Sequence, residues 1–250
     1  MGSTASARVF DRSGPSEADR QIVFLHGGGA NRKMWGPVLT QLAHRRCIAI
    51  DMPGHGAHRD AKFSPAAAVE WVAPVLDRPS TLVGLSLGGY VAILLASQRP
   101  DLPIEGMVLS GASASYRGWG GRSTRLFGYA LPVVHRFVAR KNAEAIARIA
   151  GDETAMAMER AGMSMRAAAQ ALRTVPGPDY HGHIARYEGP VLILNGERDT
   201  PNNDEIASLV GLRRDLCVQI LDDAGHACAL SKPEAFAMAV DGFVATITAA

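Results

Sequence analysis

The chain has 250 residues, 47% of them hydrophobic and 20% charged, with a formal charge of +2. That balance belongs to a globular protein able to bury a core without disulfides or metals, and it offers no basic surplus that would argue for nucleic acid as a partner. The three cysteines, Cys47, Cys217 and Cys228, are scattered and odd in number, which suits a reducing compartment. No uninterrupted apolar stretch reaches the ~18 residues of a membrane span, and the opening MGSTASARVFDRSG lacks the apolar core of a secretion signal; the expectation is a cytoplasmic protein.

In chain order, the segment 8–11 has room for one short strand, and six apolar runs follow it. They are QIVFLHG (21–27), RCIAIDMPG (46–54), TLVGLS (81–86), IEGMVLSG (104–111), GPVLILNG (189–196) and LCVQILDDAG (216–225). Continuous rather than alternating apolar runs predict parallel strands covered on both faces. Helical patterns fill the gaps at 37–44, 64–76, 87–98, 205–212 and 233–247. The second opens on Ser-Pro, an N-cap followed by a first helical residue. Strands alternating with helices predict an α/β fold with a doubly wound, mostly parallel sheet. From 115 to 175 the alternation stops. The runs 126–150 and 153–172 are rich in Ala, Arg and Met and predict two or three amphipathic helices. The expected organisation is a core of 1–114 and 176–250 with a helical cap inserted at 115–175, beside the strand ends where open α/β sheets bind ligands.

The reactive side chains fall just after strand-like runs. Ser86 lies in GLSLGG, on the cramped Gly-X-Ser-X-Gly turn that exposes a hydroxyl between a strand and a helix N-terminus. A serine hydroxyl needs a base, and His226 in DDAGHACAL follows the last strand. The base needs an acceptor to fix its tautomer. Asp199 in LILNGERDTP fits the chain order serine, acid, histidine, with Glu197 the best rival and Asp204, Asp222 and Asp223 behind it. An oxyanion needs donors. The glycines of HGGG (26–29) let the backbone approach, so the N–H groups of Gly28 and Leu87 are the expected pair. A phosphate loop is the competing reading of HGGG, but no Lys-Ser/Thr pair or GxGxxG spacing follows. His26 and His55 read as structural. His181 and His183, at i and i+2, are too few for a metal site, and the chemistry needs neither metal nor organic cofactor. Cys228, two residues beyond His226, reads as an apolar filler close to the site.

HGGG with Trp35 following, DMPGHG (51–56), GLSLGG (84–89), NGERD (195–199) and AGH (224–226) together resemble the α/β-hydrolase superfamily, in its order and over nearly the whole chain outside the cap. The resemblance implies Ser86 as nucleophile, Asp199 as acid, His226 as base, and Gly28 and Leu87 as oxyanion-hole donors. It further implies a small-molecule substrate carrying an ester, lactone or thioester bond. Members with serine at this position resemble carboxylesterases, enol-lactone hydrolases and carbon–carbon bond hydrolases; those with aspartate, the haloalkane dehalogenases and epoxide hydrolases, do not match. The cap carries no recognisable subfamily signature. Its apolar residues, among them Met156, Met163, Leu126, Phe127, Val134 and Phe137, either line an acyl pocket or pack the cap onto the sheet.

Overall fold

The computed structural model describes residues 10–116 and 118–249. Seven strands form one sheet: β1 (Phe10–Ser13), β2 (Gln21–Leu25), β3 (Cys47–Ile50), β4 (Ser80–Leu85), β5 (Ile104–Ser110), β6 (Val191–Gly196) and β7 (Cys217–Leu221). Their order across the sheet is β1-β3-β2-β4-β5-β6-β7. β1 pairs antiparallel with β3 and every other pairing is parallel. The six apolar runs are thus six parallel strands whose C-terminal ends share one edge. The short strand expected at 8–11 is β1; Arg8 and Val9 lie outside the described residues.

β2, β3, β4 and β6 are buried along their whole length. The reason is visible in β2, where side chains alternate between two packed layers. Val23 and Leu25 join Tyr90, Ile93 and Leu94 on one side. Ile22 and Phe24 join Trp35, Val38, Phe236 and Val240 on the other. Each fully buried aliphatic side chain contributes about 1.5–3 kcal/mol. β7 departs from the expectation of burial on both faces: its first four residues are exposed. It is the last strand in the order, so among the described residues no strand pairs with its outer edge.

Ten helices surround the sheet among the described residues: α1 (Gly36–Gln41), α2 (Pro65–Val72), α3 (Leu87–Gln98), α4 (Gly118–Ala161), α5 (Met165–Thr174), α6 (Tyr180–Arg186), α7 (Thr200–Asn203), α8 (Ile206–Leu212), α9 (Cys228–Ser231) and α10 (Pro233–Ala249). Ser64 caps α2 by accepting from the Ala67 N–H, with Pro65 as first helical residue. α3 runs from the end of β4 and buries ten of its twelve residues. α6 falls where no element was expected. Its seven residues begin at an Asp179 cap that accepts from the Gly182 N–H, and it buries Tyr180 and Ile184, one turn apart.

Between β5 and α6, the two amphipathic runs form α4 and α5. α4 is broken at Gly151, whose φ of 79° no helical residue adopts. The break falls at the seam between the two runs. Ser164 then caps α5 by accepting from the Ala167 N–H.

Candidate active site

Ser86 stands between β4 and α3 with φ 53° and ψ −114°. A non-glycine residue held at positive φ costs about 1–3 kcal/mol and persists only where its surroundings enforce it. Here they do. The Ser86 N–H donates to the Ser110 carbonyl of β5 at 2.7 Å, and the Ser86 carbonyl accepts from Gly89 and Tyr90 in the first turn of α3. The approach of strand and helix allows no side chain: a Cβ on Gly88 would lie 2.0 Å from the Leu25 carbonyl oxygen, and one on Gly84 2.4 Å from the Gly88–Gly89 backbone. The N–H of Leu87, first residue of α3, has no intrahelical acceptor.

The loop after β2 faces that turn. Gly28 and Leu87 border one cavity of about 150 Å³ together with Ser86. A Cβ on Gly28 would come 3.8 Å from Leu87 and 3.7 Å from Ala171 of α5. The loop is pinned from below by His26. Its Nδ1–H donates to the Gly27 carbonyl at 2.8 Å, and its Nε2 accepts from the Met52 N–H at 3.1 Å. Full burial lowers the His26 pKa to about 4, so the ring is neutral in this role. His55 lies beside it, with ring centroids 4.7 Å apart and planes tilted by 60°, and donates to the Pro53 carbonyl. Burial, and then the neighbouring His26, bring its pKa to about 3. Both histidines are structural, as expected from sequence. The loop is also pinned from above: the Gly29 carbonyl accepts from the Ser164 N–H that opens α5, and Asn31 donates to the Met158 carbonyl of α4.

His226 and Asp199 meet, at 2.9 Å between Nδ1 and Oδ2. Asp199 is buried and His226 half-exposed. Burial disfavours the Asp199 charge, but the hydrogen bond and charge of His226 and the amide of Asn202 more than offset it, holding the carboxyl below its usual range. Asn202 Nδ2 lies 3.1 Å from both carboxylate oxygens. The imidazole rests against Gly111, where a Cβ would sit 2.6 Å from its Cε1. Gly111 directly follows Ser110, the residue that accepts the Ser86 N–H. Of the rival carboxylates, Glu197 and Asp223 are engaged elsewhere, and Asp204 and Asp222 are exposed. Glu197 accepts from the Asp223 N–H, and Asp223 reaches Arg198 at the surface.

Sequence reasoning missed the polar frame behind Asp199. Asn202 Oδ1 accepts from the Ser113 and Ala114 N–H groups, Asn195 accepts from the Gly111 N–H, and Asn195 donates to Ser113 Oγ. The asparagines of LILNGERDTPNND were the available signal, but their partners lie more than eighty residues away. His181 belongs to the same frame, donating to the Ser113 carbonyl at 2.8 Å. Cys228 is buried with its Sγ 3.2 Å from Ser110 Oγ, and burial pushes its thiol pKa up.

The rest of the Ser86 cavity is lined by Tyr90 and Tyr116 and, from α4 and α5, by Thr124, Ala168 and Leu172. None of the expected methionines borders it. Met158 and Leu131 are packed inside, whereas Leu126, Phe127, Val134, Phe137 and Met156 are exposed.

A family model described as the alpha/beta hydrolase family matches residues 22–239. The chain belongs to that family. A protein from Neisseria meningitidis described as pimeloyl-[acyl-carrier protein] methyl ester esterase is 27% identical over 261 residues, covering 95% of this chain and 97% of the relative. An esterase of Mycobacterium tuberculosis is 42% identical over 89 residues, 33% of this chain and 30% of its own. Among solved structures, MenH from S. aureus superposes with a TM-score of 0.79 at 20% identity, covering 96% of this chain and 98% of its own. A thermophilic esterase from Thermogutta terrifontis gives 0.75 at 21% identity, covering 96% and 93%. These structural matches speak for the alpha/beta hydrolase fold, and the family with its esterases makes this chain a hydrolase of the carboxylic ester type.

Proposed function

We propose that the protein hydrolyses a carboxylic ester, lactone or thioester of a small apolar acid through an acyl-enzyme on Ser86. The observation that carries this reading is the strained Ser86 turn, which shares one cavity with Gly28 and Leu87, while the buried carboxylate of Asp199, past the end of β6, holds His226, past the end of β7.

With Nδ1–H donated to Asp199, the His226 ring keeps its lone pair on Nε2. That nitrogen takes the proton of the Ser86 hydroxyl as the oxygen attacks the substrate carbonyl. The N–H groups of Gly28 and Leu87 receive the oxyanion, each donor contributing about 3 kcal/mol to the transition state. Asp199 stabilises the imidazolium, which protonates the leaving alcohol or thiol. Water then repeats the sequence on the acyl-enzyme. Residues 115–175 act as a lid, with Thr124, Ala168 and Ala171 closing the acyl end of the cavity. The description of the N. meningitidis relative supports a methyl ester of a pimeloyl (dicarboxylic acyl) chain as one substrate to test.

The test is Ser86→Ala assayed on short-chain p-nitrophenyl esters. The variant should fold and lose activity by about three orders of magnitude or more, and a fluorophosphonate probe should label the wild type at Ser86. Near-wild-type turnover in the variant, or labelling at another residue, overturns the assignment.

A further inference from the structure

α4 carries a surface that this chemistry does not use. Trp119, Leu126, Val133 and Phe137 follow one another at spacings of seven, seven and four residues, which places them on one helix face. They are 82%, 70%, 86% and 60% exposed. Phe127 and Val134 widen the same stripe and are also exposed. From Trp119 to Phe137 it runs about 27 Å, at 1.5 Å per residue. The opposite face is the one the fold uses. Leu131 is buried there, Thr124 lines the Ser86 cavity, and a Cβ on Gly128 would strike Leu172 and Arg173 of α5. The stripe therefore points away from the protein, the reverse of an ordinary surface helix. A contiguous apolar ridge of this size marks an interaction surface.

The charge around it is one-sided. Residues 118–143 contain Arg122, Arg125, Arg136, Arg140 and Lys141 and no Asp or Glu. The whole chain is nearly balanced, at 26 basic and 24 acidic residues, so the surplus is local. The first acid, Glu144, touches Arg140 and Lys141 at the far end, in exposed pairs that hold little energy. A second copy docking here would set five cations against five, which like-charge repulsion opposes. An anionic, apolar-cored surface matches both features.

We propose that the first half of α4 lies in the plane of an anionic lipid surface. Its apolar stripe enters the headgroup–acyl boundary, and Arg122, Arg140 and Lys141 meet the lipid phosphates. Trp119, with its apolar ring and N–H, suits that boundary. No helix among the described residues is long and apolar enough to cross a membrane, so the contact is peripheral. The docking argument is independent of the reaction at Ser86.

The experiment is co-sedimentation of the full chain with vesicles of phosphatidylcholine alone, or with about a third phosphatidylglycerol, at ~50 mM and ~500 mM salt. Binding should be at least about tenfold tighter on the anionic vesicles, should weaken at high salt, and should shift Trp119 emission to the blue. Leu126→Glu with Val133→Glu should lower anionic-vesicle binding by about tenfold or more while leaving p-nitrophenyl ester turnover in vesicle-free buffer unchanged. Arg122→Glu with Arg140→Glu should remove the preference for anionic lipid. No binding to anionic vesicles at low salt, unchanged binding by the Leu126/Val133 variant, or a dimer in solution that already shields Trp119 overturns the proposal.

Discussion

The buried histidine pair under the glycine loop should make stability fall in mild acid. An unfolded histidine takes a proton below about pH 6.5, whereas folded His26 does so only near 4. Between those values the unfolded state binds the extra proton. Stability is therefore full above about pH 6.5 and declines as the pH drops toward 4. At 1.36 kcal/mol per pH unit, His26 alone accounts for a loss of about 2.5 kcal/mol by roughly pH 4.5. His55 acts in the same sense, its pKa brought to about 3 by burial and partly by His26 itself. Replacing His26 by Gln keeps an acceptor toward the Met52 N–H and removes both the His26 proton and its effect on His55. Urea midpoints measured every half unit from about pH 7.5 to 4.5 should show the wild type losing about 2–3 kcal/mol more than His26→Gln across that range. Parallel curves for the two proteins would refute the reasoning.

Three further outcomes follow from the packing around the site. Asn202→Leu removes the amide shared by both Asp199 oxygens; kcat/KM should fall about tenfold, and the acid limb of the pH–rate profile should move to higher pH as the Asp199 carboxyl rises. Gly88→Ala places a methyl 2.0 Å from the rigid Leu25 carbonyl and should lower stability by about 3 kcal/mol or more by urea unfolding, while Gly242→Ala, into open space on α10, should gain about 0.5–1 kcal/mol. The cavity beside Ser86 is small, about 150 Å³; acetyl to butyryl esters should turn over faster than octanoyl, and Ala171→Leu should penalise butyryl more than acetyl.

The six parallel strands were legible because each is an unbroken Val, Ile and Leu run, and that signal does not depend on distant contacts. The meeting of Asp199 and His226 was legible for the same reason: both directly follow such runs, and parallel strands bring their ends to one edge. The exposure of β7 was not, since an apolar run does not say whether another strand lies beyond it. α6 was hidden because seven residues, one of them glycine, give too short a period. The frame of Asn195, Asn202 and Ser113 was invisible because its hydrogen bonds join segments 82 to 89 residues apart. The cavity lining failed for a different reason: amphipathic periodicity shows that a helix has two faces, and on α4 the more apolar one turns outward.

The loop carrying Gly28 is tied at two points just after that residue to the helices above it, Gly29 to Ser164 and Asn31 to Met158. Under the proposed mechanism, those two bonds would couple access to catalysis. If α5 swings out to admit a molecule, it pulls on the strap that carries the Gly28 N–H, and the pocket for the developing charge loosens at that moment. When α5 returns, the same bonds reset the donor. Under the proposed mechanism, a substrate that lets the helices close is rewarded with a complete oxyanion site, and one too long to allow closure is bound but poorly turned over. Discrimination by length would then appear in kcat more than in KM.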